Sequence, residues 1–318
     1  MDWFASKHYE DVYIVDDDGR LTGMIYLKSE RGSIDDVIPP LPNRSWLKVG
    51  TLKIEGRGTK LGERIVKKIF DTAILNRCDG VYITVFELHS SLMSLFERYG
   101  FRRCGTKTTR NGVEIVLSRS LTDFTGDRVL DYPFINITGA KFWLLAIYPH
   151  YHTRLLPDSI LRNEPIEIVQ DVSHANTIHK VYISKLSLGR MSPGDVVFFY
   201  RTTDGQSAAH YRSVVTSICC VEEVRKRRSF SSIDDFLDYT RPRSVFDDDE
   251  LRDWYATERM SVAKLTYNAA LNKRITRGYL IDNHIISAQP RWDLRQLDRE
   301  QALTIVRAGE IDARIIID

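Results

Sequence analysis

The segment Glu55-Gly-Arg-Gly-Thr-Lys-Leu-Gly-Glu63 sets three glycines, Arg57 and Lys60 at the start of a run with helical periodicity. Such a turn suits an anion. The first N–H groups of a helix have no intrahelical partner, the helix dipole adds about half a positive charge there, and glycines let backbone approach a phosphate. It is not a Walker loop, because G-K-[ST] is missing, nor does it follow a first βαβ unit with an acidic residue at dinucleotide spacing. Around it stand groups able to move protons. Glu55 and Glu87 each end an apolar strand, where a carboxylate can act as a general base; His89 opens a helix, and Tyr99 closes it. Each also has an ordinary reading: solvated strand ends for Glu55 and Glu87, a cap or surface residue for His89, a core ring for Tyr99.

The elements that must position these groups follow from hydrophobic spacing. Apolar residues at 61, 65, 66, 69, 70, 73 and 74 make a helical stripe. Before it, 12–15 and 21–27 read as a hairpin about an acidic turn ending in Gly19, and 46–54 as a strand after a loop with Pro39, Pro40 and Pro42. After it, 81–86 is a β-branched strand, 89–99 a helix through Leu92, Leu95 and Phe96 stopped by Gly100, and 113–117 a closing strand. That order predicts an α/β (α+β) domain with a mixed sheet and flanking helices. Periodicity is lost over 121–136, so two domains are expected, 1–130 and 131–318.

Bulk properties narrow the class. At 318 residues, 43% hydrophobic and 28% charged, the chain is neither disordered nor fibrous nor a disulfide mini-domain. The longest apolar run, 142–148, is strand-sized, which excludes a helical membrane span, and the N-terminus lacks a basic region followed by an apolar one; a cytoplasmic protein without membrane contact is expected. Net charge is +2, with 20 Lys+Arg against 18 Asp+Glu in residues 1–130 and 25 against 25 in the rest. Any nucleic-acid surface must therefore be a local patch. Cys78, Cys104, Cys219 and Cys220 have no zinc-ligand spacing and read as free thiols.

In the second half, 141–148, 180–183, 196–200 and 214–224 read as strands and 232–239 and 247–255 as helices, which suggests a small β-barrel with inserted helices. His150 and His152, read as one side of a strand, lack a third ligand, so a packed aromatic corner is expected and no metal. Lys180, Tyr182, Arg201, His210, Tyr211 and Arg212, with Lys273, Arg274 and Arg277, have the types of a nucleic-acid cleft, aromatics to stack and cations for phosphates. The densest charge run is Arg225-Lys226-Arg227-Arg228, whose plain reading is a solvated face. Asp247 to Glu250 suit a helix N-terminus.

Arg57-Gly-Thr-Lys-Leu-Gly62 resembles the [RQ]-x-x-G-x-[GA] acetyl-CoA loop of GNAT-type N-acetyltransferases, and Leu95-Phe-Glu-Arg-Tyr-Gly-Phe101 looks like the family's L-Y-E-x-x-G-F; the resemblance spans about residues 5–120. It implies acetyl-CoA as cofactor. Backbone at Leu52 and Ile54 would meet the pantetheine arm, and the amides of Arg57, Gly58, Thr59, Lys60, Leu61, Gly62 and Glu63 the pyrophosphate. The chain departs from the family where Lys60 replaces a glycine, Phe96 stands where a tyrosine commonly protonates the leaving thiolate, and His89 holds the usual asparagine position. Residues 141–290, with the turn Pro193-Gly-Asp195 before a strand, are similar to the PUA-like fold and its ASCH relatives, without their G-x-K-x-x-E-x-R motif. This implies recognition of RNA or a modified base. The combined expectation is an acyl-CoA-dependent N-acetyltransferase of an unidentified amine, with a second domain that presents the acceptor, RNA or an RNA-associated protein. Two alternatives stay open: a degenerate GNAT fold in a nucleic-acid-binding or regulatory protein, and a GNAT-type toxin acting on charged tRNA.

Overall fold

The computed structural model describes residues 12–17, 20–54, 61–159, 177–203, 209–288 and 292–318. The chain divides into two compact units between Tyr132 and Pro133, two residues past the expected boundary.

The first unit is built on strands β1 (Val12–Asp17), β2 (Arg20–Ile34), β3 (Leu41–Ile54), β4 (Gly80–Phe86), β5 (Arg102–Thr109) and β6 (Gly112–Ser120). They lie in the order β1-β2-β3-β4-β6-β5. All neighbours are antiparallel except β3 and β4, which are parallel and joined through helix α1 (Leu61–Leu75). A parallel pair needs such a crossover. All seven positions of the helical stripe are buried. Helix α2 (Ser90–Arg98) is two residues shorter than its spacing suggests, because His89 and Tyr99 act as its caps; Gly100, at φ +83°, turns the chain out. Strand β5 escapes a hydrophobicity reading because six of its eight residues are polar or charged and none is fully buried.

The second unit holds β7 (Ile135–Asn136), β8 (Phe142–Ile147), helix α3 (Pro149–Leu155), β9 (His179–Ser184), β10 (Val196–Arg201), helix α4 (Ala209–Arg212) and β11 (Val214–Lys226). Helices α5 (Ile233–Thr240) and α6 (Asp248–Ala256) are inserted before β12 (Ser261–Thr276), and α7 (Arg277–Asp282), β13 (Leu294–Leu297), α8 (Arg299–Ala308) and β14 (Ile316–Ile317) follow. The six main strands form one sheet in the order β13-β8-β10-β11-β12-β9. No ladder among the described residues joins β13 to β9, so the sheet is not closed into a barrel among them. It is strongly curled, however. Strands β8 and β9 are four places apart, about 19 Å in a flat sheet, yet the Tyr182 hydroxyl on β9 donates to the Ala146 carbonyl on β8 at 3.0 Å.

The Pro193-Gly-Asp195 turn works as a clamp. Buried Asp195 accepts from the Trp143 indole N–H at 2.8 Å, the Ser192 amide at 2.9 Å and the Lys141 amide at 3.2 Å, fixing β8 beside the start of β10. Asp247 and Glu250 form a reciprocal capping box at α6, the helix-start role expected of that acidic run. No helix among the described residues is long and apolar enough to cross a membrane.

Candidate functional site

The first unit's feature with chemical consequence is the parting of its parallel strands. Pairing between β3 and β4 covers only Trp46–Val49 against Gly80–Ile83; beyond it, 50–54 of β3 and 84–86 of β4 share no ladder. The cause sits at Gly50. On the β2 side, Tyr26 pairs with Thr51 and Leu27 with Val49, leaving Gly50 as an extra, bulged residue. A bulge bends its strand and leaves backbone groups without ladder partners. Leu52 and Ile54 lie on this freed arm, both half-buried, still paired to Ile25 and Gly23 of β2.

The other candidate residues gather unevenly round this opening. Glu55, Arg57, Gly58, Thr59 and Lys60 lie outside the described residues. Leu61, Gly62 and Glu63 open α1, at the end of the helix carrying the positive dipole. Gly62 has a packing reason as well: a Cβ there would stand 2.7 Å from Leu95 Cδ2 of α2, so the glycine lets the two helices approach. Glu87 and His89 follow directly after β4 and are exposed. Tyr99 does not join them. It is fully buried, its ring edge-on to Tyr132 with centroids 6.0 Å apart and its carbonyl accepting from Arg119 at 2.6 Å, which is its core reading. Phe96 is equally buried, edge-on to Phe101 at 4.9 Å.

A phenol does lie on β4, which the sequence reading passed over. Tyr82 donates to the Glu30 carboxylate at 2.5 Å, and Lys28 and Lys48 flank that carboxylate at 3.1 and 3.7 Å. Burial alone would raise the Glu30 pKa, but the Tyr82 hydroxyl and the two ammonium groups outweigh it and hold Glu30 below the usual range. Burial and the adjacent carboxylate push Tyr82 well above its ordinary value, so it remains a neutral donor.

In the second unit the basic candidates separate. Lys180 is 1% exposed, its ammonium 5.8 Å from the Tyr267 ring centre, and Arg201 is 5% exposed; both belong to the interior rather than to a binding face. Arg212 is half-buried on α4. The run 225–228 is split: Arg225 stacks on Phe230 and Tyr239 at 4.4 and 4.8 Å, and Arg227 lies 3.4 Å over Tyr255 while donating to its carbonyl, whereas Lys226 and Arg228 are exposed. Pro149–Leu155 is a helix, not a strand, so His150 and His152 do not share a side. His152 is wholly buried, its Nε2 2.8 Å from the Thr216 hydroxyl. Among the described residues no group of three His, Cys, Asp or Glu could hold a metal.

The first unit is thus a mixed sheet whose one parallel pair parts before the helix that joins its two strands. No family model and no curated protein sequence matches the chain. Solved structures do. The chain is similar to an ASCH protein from Zymomonas mobilis at 12% identity, covering 52% of this chain and 94% of that one with a TM-score of 0.37. It is similar to a GNAT family acetyltransferase from Elizabethkingia anophelis with acetyl-CoA bound at 12% identity, covering 38% and 80%, TM-score 0.30. A chain of the NatC complex bound to Gag peptide and CoA matches at 22% identity over 35% and 70%, TM-score 0.29.

Proposed function

We propose that this protein is an acyl-CoA-dependent N-acetyltransferase. The observation that carries the reading is the parting of β3 from β4 after Val49 and Ile83. It leaves strand backbone without a ladder on the arm that precedes α1, which suits an extended amide-bearing arm ending in phosphates. Acetyl-CoA, when bound, supplies an acetyl group activated as a thioester. Leu52 and Ile54 would hold the arm by backbone hydrogen bonds, and the amides from Arg57 to Glu63 the pyrophosphate. Glu87 and His89, exposed just beyond β4, are the groups able to take a proton from an incoming amine, as is Glu55 at the other strand's end.

Calorimetry with acetyl-CoA tests this. Micromolar binding that disappears in Gly62→Glu supports it; no heat with the wild-type chain overturns it. The melting temperature of the unliganded variant separates lost binding from lost packing against Leu95.

A second reading is favoured by the burial of Phe96 and Tyr99, which leaves no phenol on α2 to protonate a thiolate: a unit that binds CoA without turning it over. Binding without acetyl transfer to any amine would select it. For the second unit we propose RNA recognition through the exposed Lys226 and Arg228. Salt-dependent RNA binding that weakens on neutralising those two supports this, and no binding at low salt removes it.

A further inference from the structure

The curl of the second unit's sheet leaves a recess between β8, β9 and the segment entering α6. Its inner part, about 120 Å³, is walled by rings: Tyr151 and Phe246 pack with centroids 5.2 Å apart, Phe246 and Trp254 5.7 Å apart. An outer part of about 270 Å³ shares Tyr148, Tyr182 and Trp254 with it and adds Lys185, Thr202 and Asp293. Lys185 and Asp293 are exposed, and neither forms an ion pair with another described residue. The Thr202 hydroxyl oxygen is buried without a hydrogen-bond partner among the described residues.

We propose that this recess binds a free α-amino acid with an apolar side chain. The side chain enters the ring-walled part, the ammonium meets Asp293, and the carboxylate meets Lys185 and the Thr202 hydroxyl. Size and charge together select this class. An apolar cavity of roughly 150 Å³ accepts benzene, so the inner part takes one side chain and little more. A phosphate dianion drawn to Lys185 would be repelled by Asp293, a quaternary ammonium drawn to Asp293 would be repelled by Lys185, and a hydrocarbon would use neither. A zwitterion satisfies both charges and leaves the recess neutral. The site is independent of the acyltransferase reading, because it uses no residue of the first unit.

The test is calorimetry of the full chain with L-phenylalanine and L-leucine, alongside N-acetyl-L-phenylalanine, L-phenylalanine methyl ester, choline and AMP. The free amino acids bind, and the N-acetyl and ester forms, each lacking one charge, bind about tenfold or more weakly. Asp293→Asn abolishes the preference over the N-acetyl form but keeps that over the ester; Lys185→Gln does the reverse. Both positions are exposed, so unliganded melting temperatures stay unchanged. Equal binding of the ester, heat from AMP or choline without heat from the amino acids, or no heat from any amino acid at millimolar concentration overturns the proposal.

Discussion

A Cβ placed on Gly50 would stand 2.5 Å from Cδ1 and 2.7 Å from Cε1 of Tyr26, a ring that is itself buried in the sheet. The bulge that opens β3 from β4 therefore depends on a glycine beneath an aromatic ring. Gly50→Val should destabilise the first unit by about 1–3 kcal/mol, the usual cost of overpacking. Chemical denaturation measures it. Tyr26→Ala makes room, so Gly50→Ala and Tyr26→Ala together should cost less than the sum of the two; strict additivity would refute the contact.

Gly62 carries two roles that mutation can separate. Gly62→Ala should lower the melting temperature by a few degrees, because its methyl would crowd Leu95, and Leu95→Ala in the same chain should restore part of the loss. Binding of acetyl-CoA should stay abolished by Gly62→Glu even beside Leu95→Ala. Recovery of binding there would mean that the glycine serves helix packing alone.

Acid should weaken the second unit in two stages. Burial, followed by the charges of Arg201 and Arg274, lowers the His152 pKa from 6.5 to about 3. A histidine held neutral in this way contributes stability that is whole above pH 6.5 and is lost as pH falls toward 3. Burial alone would raise Glu222, but hydrogen bonds and charge from His179 and Lys264 take it from 4.5 to about 2, so its contribution is whole above pH 4.5 and is lost on approach to pH 2. Denaturation midpoints from pH 7 to 3 should fall throughout. His152→Gln should flatten the upper part of that range and Glu222→Gln the lower; an unchanged slope in either variant contradicts its assignment.

The basic run should divide under alanine scanning. Arg227→Ala removes the stack on Tyr255 and the 2.6 Å bond to its carbonyl, and should cost about 1–2 kcal/mol of stability. Arg228→Ala, at an exposed position, should stay within about 0.5 kcal/mol of wild type while reducing any RNA affinity. Denaturation and filter binding on the same two variants check both halves.

Local pattern alone determined much of this protein. The stripe from Leu61 to Ile74 fixed α1 and its buried face, Gly100 fixed the end of α2, and the acidic run at 247–250 fixed the start of α6, because each depends on neighbours within a few residues. The splay of β3 and β4 was half legible: a glycine inside the strand pattern at 50 was the available sign of a bulge, but its partner Tyr26 is 24 positions away. Which cations face solvent was decided only by the tertiary structure. Lys180 and Arg201 have the same types as Lys226 and Arg228, and only their strands' place within the curled sheet makes the first pair interior. The same curl brings Tyr151, Phe246, Trp254, Lys185 and Asp293, spread over more than 140 residues, to the walls of one recess. Hydrophobic period and turn chemistry set which elements form, whereas charge pairing, burial and cavity walls depend on long-range packing that no short window of sequence contains.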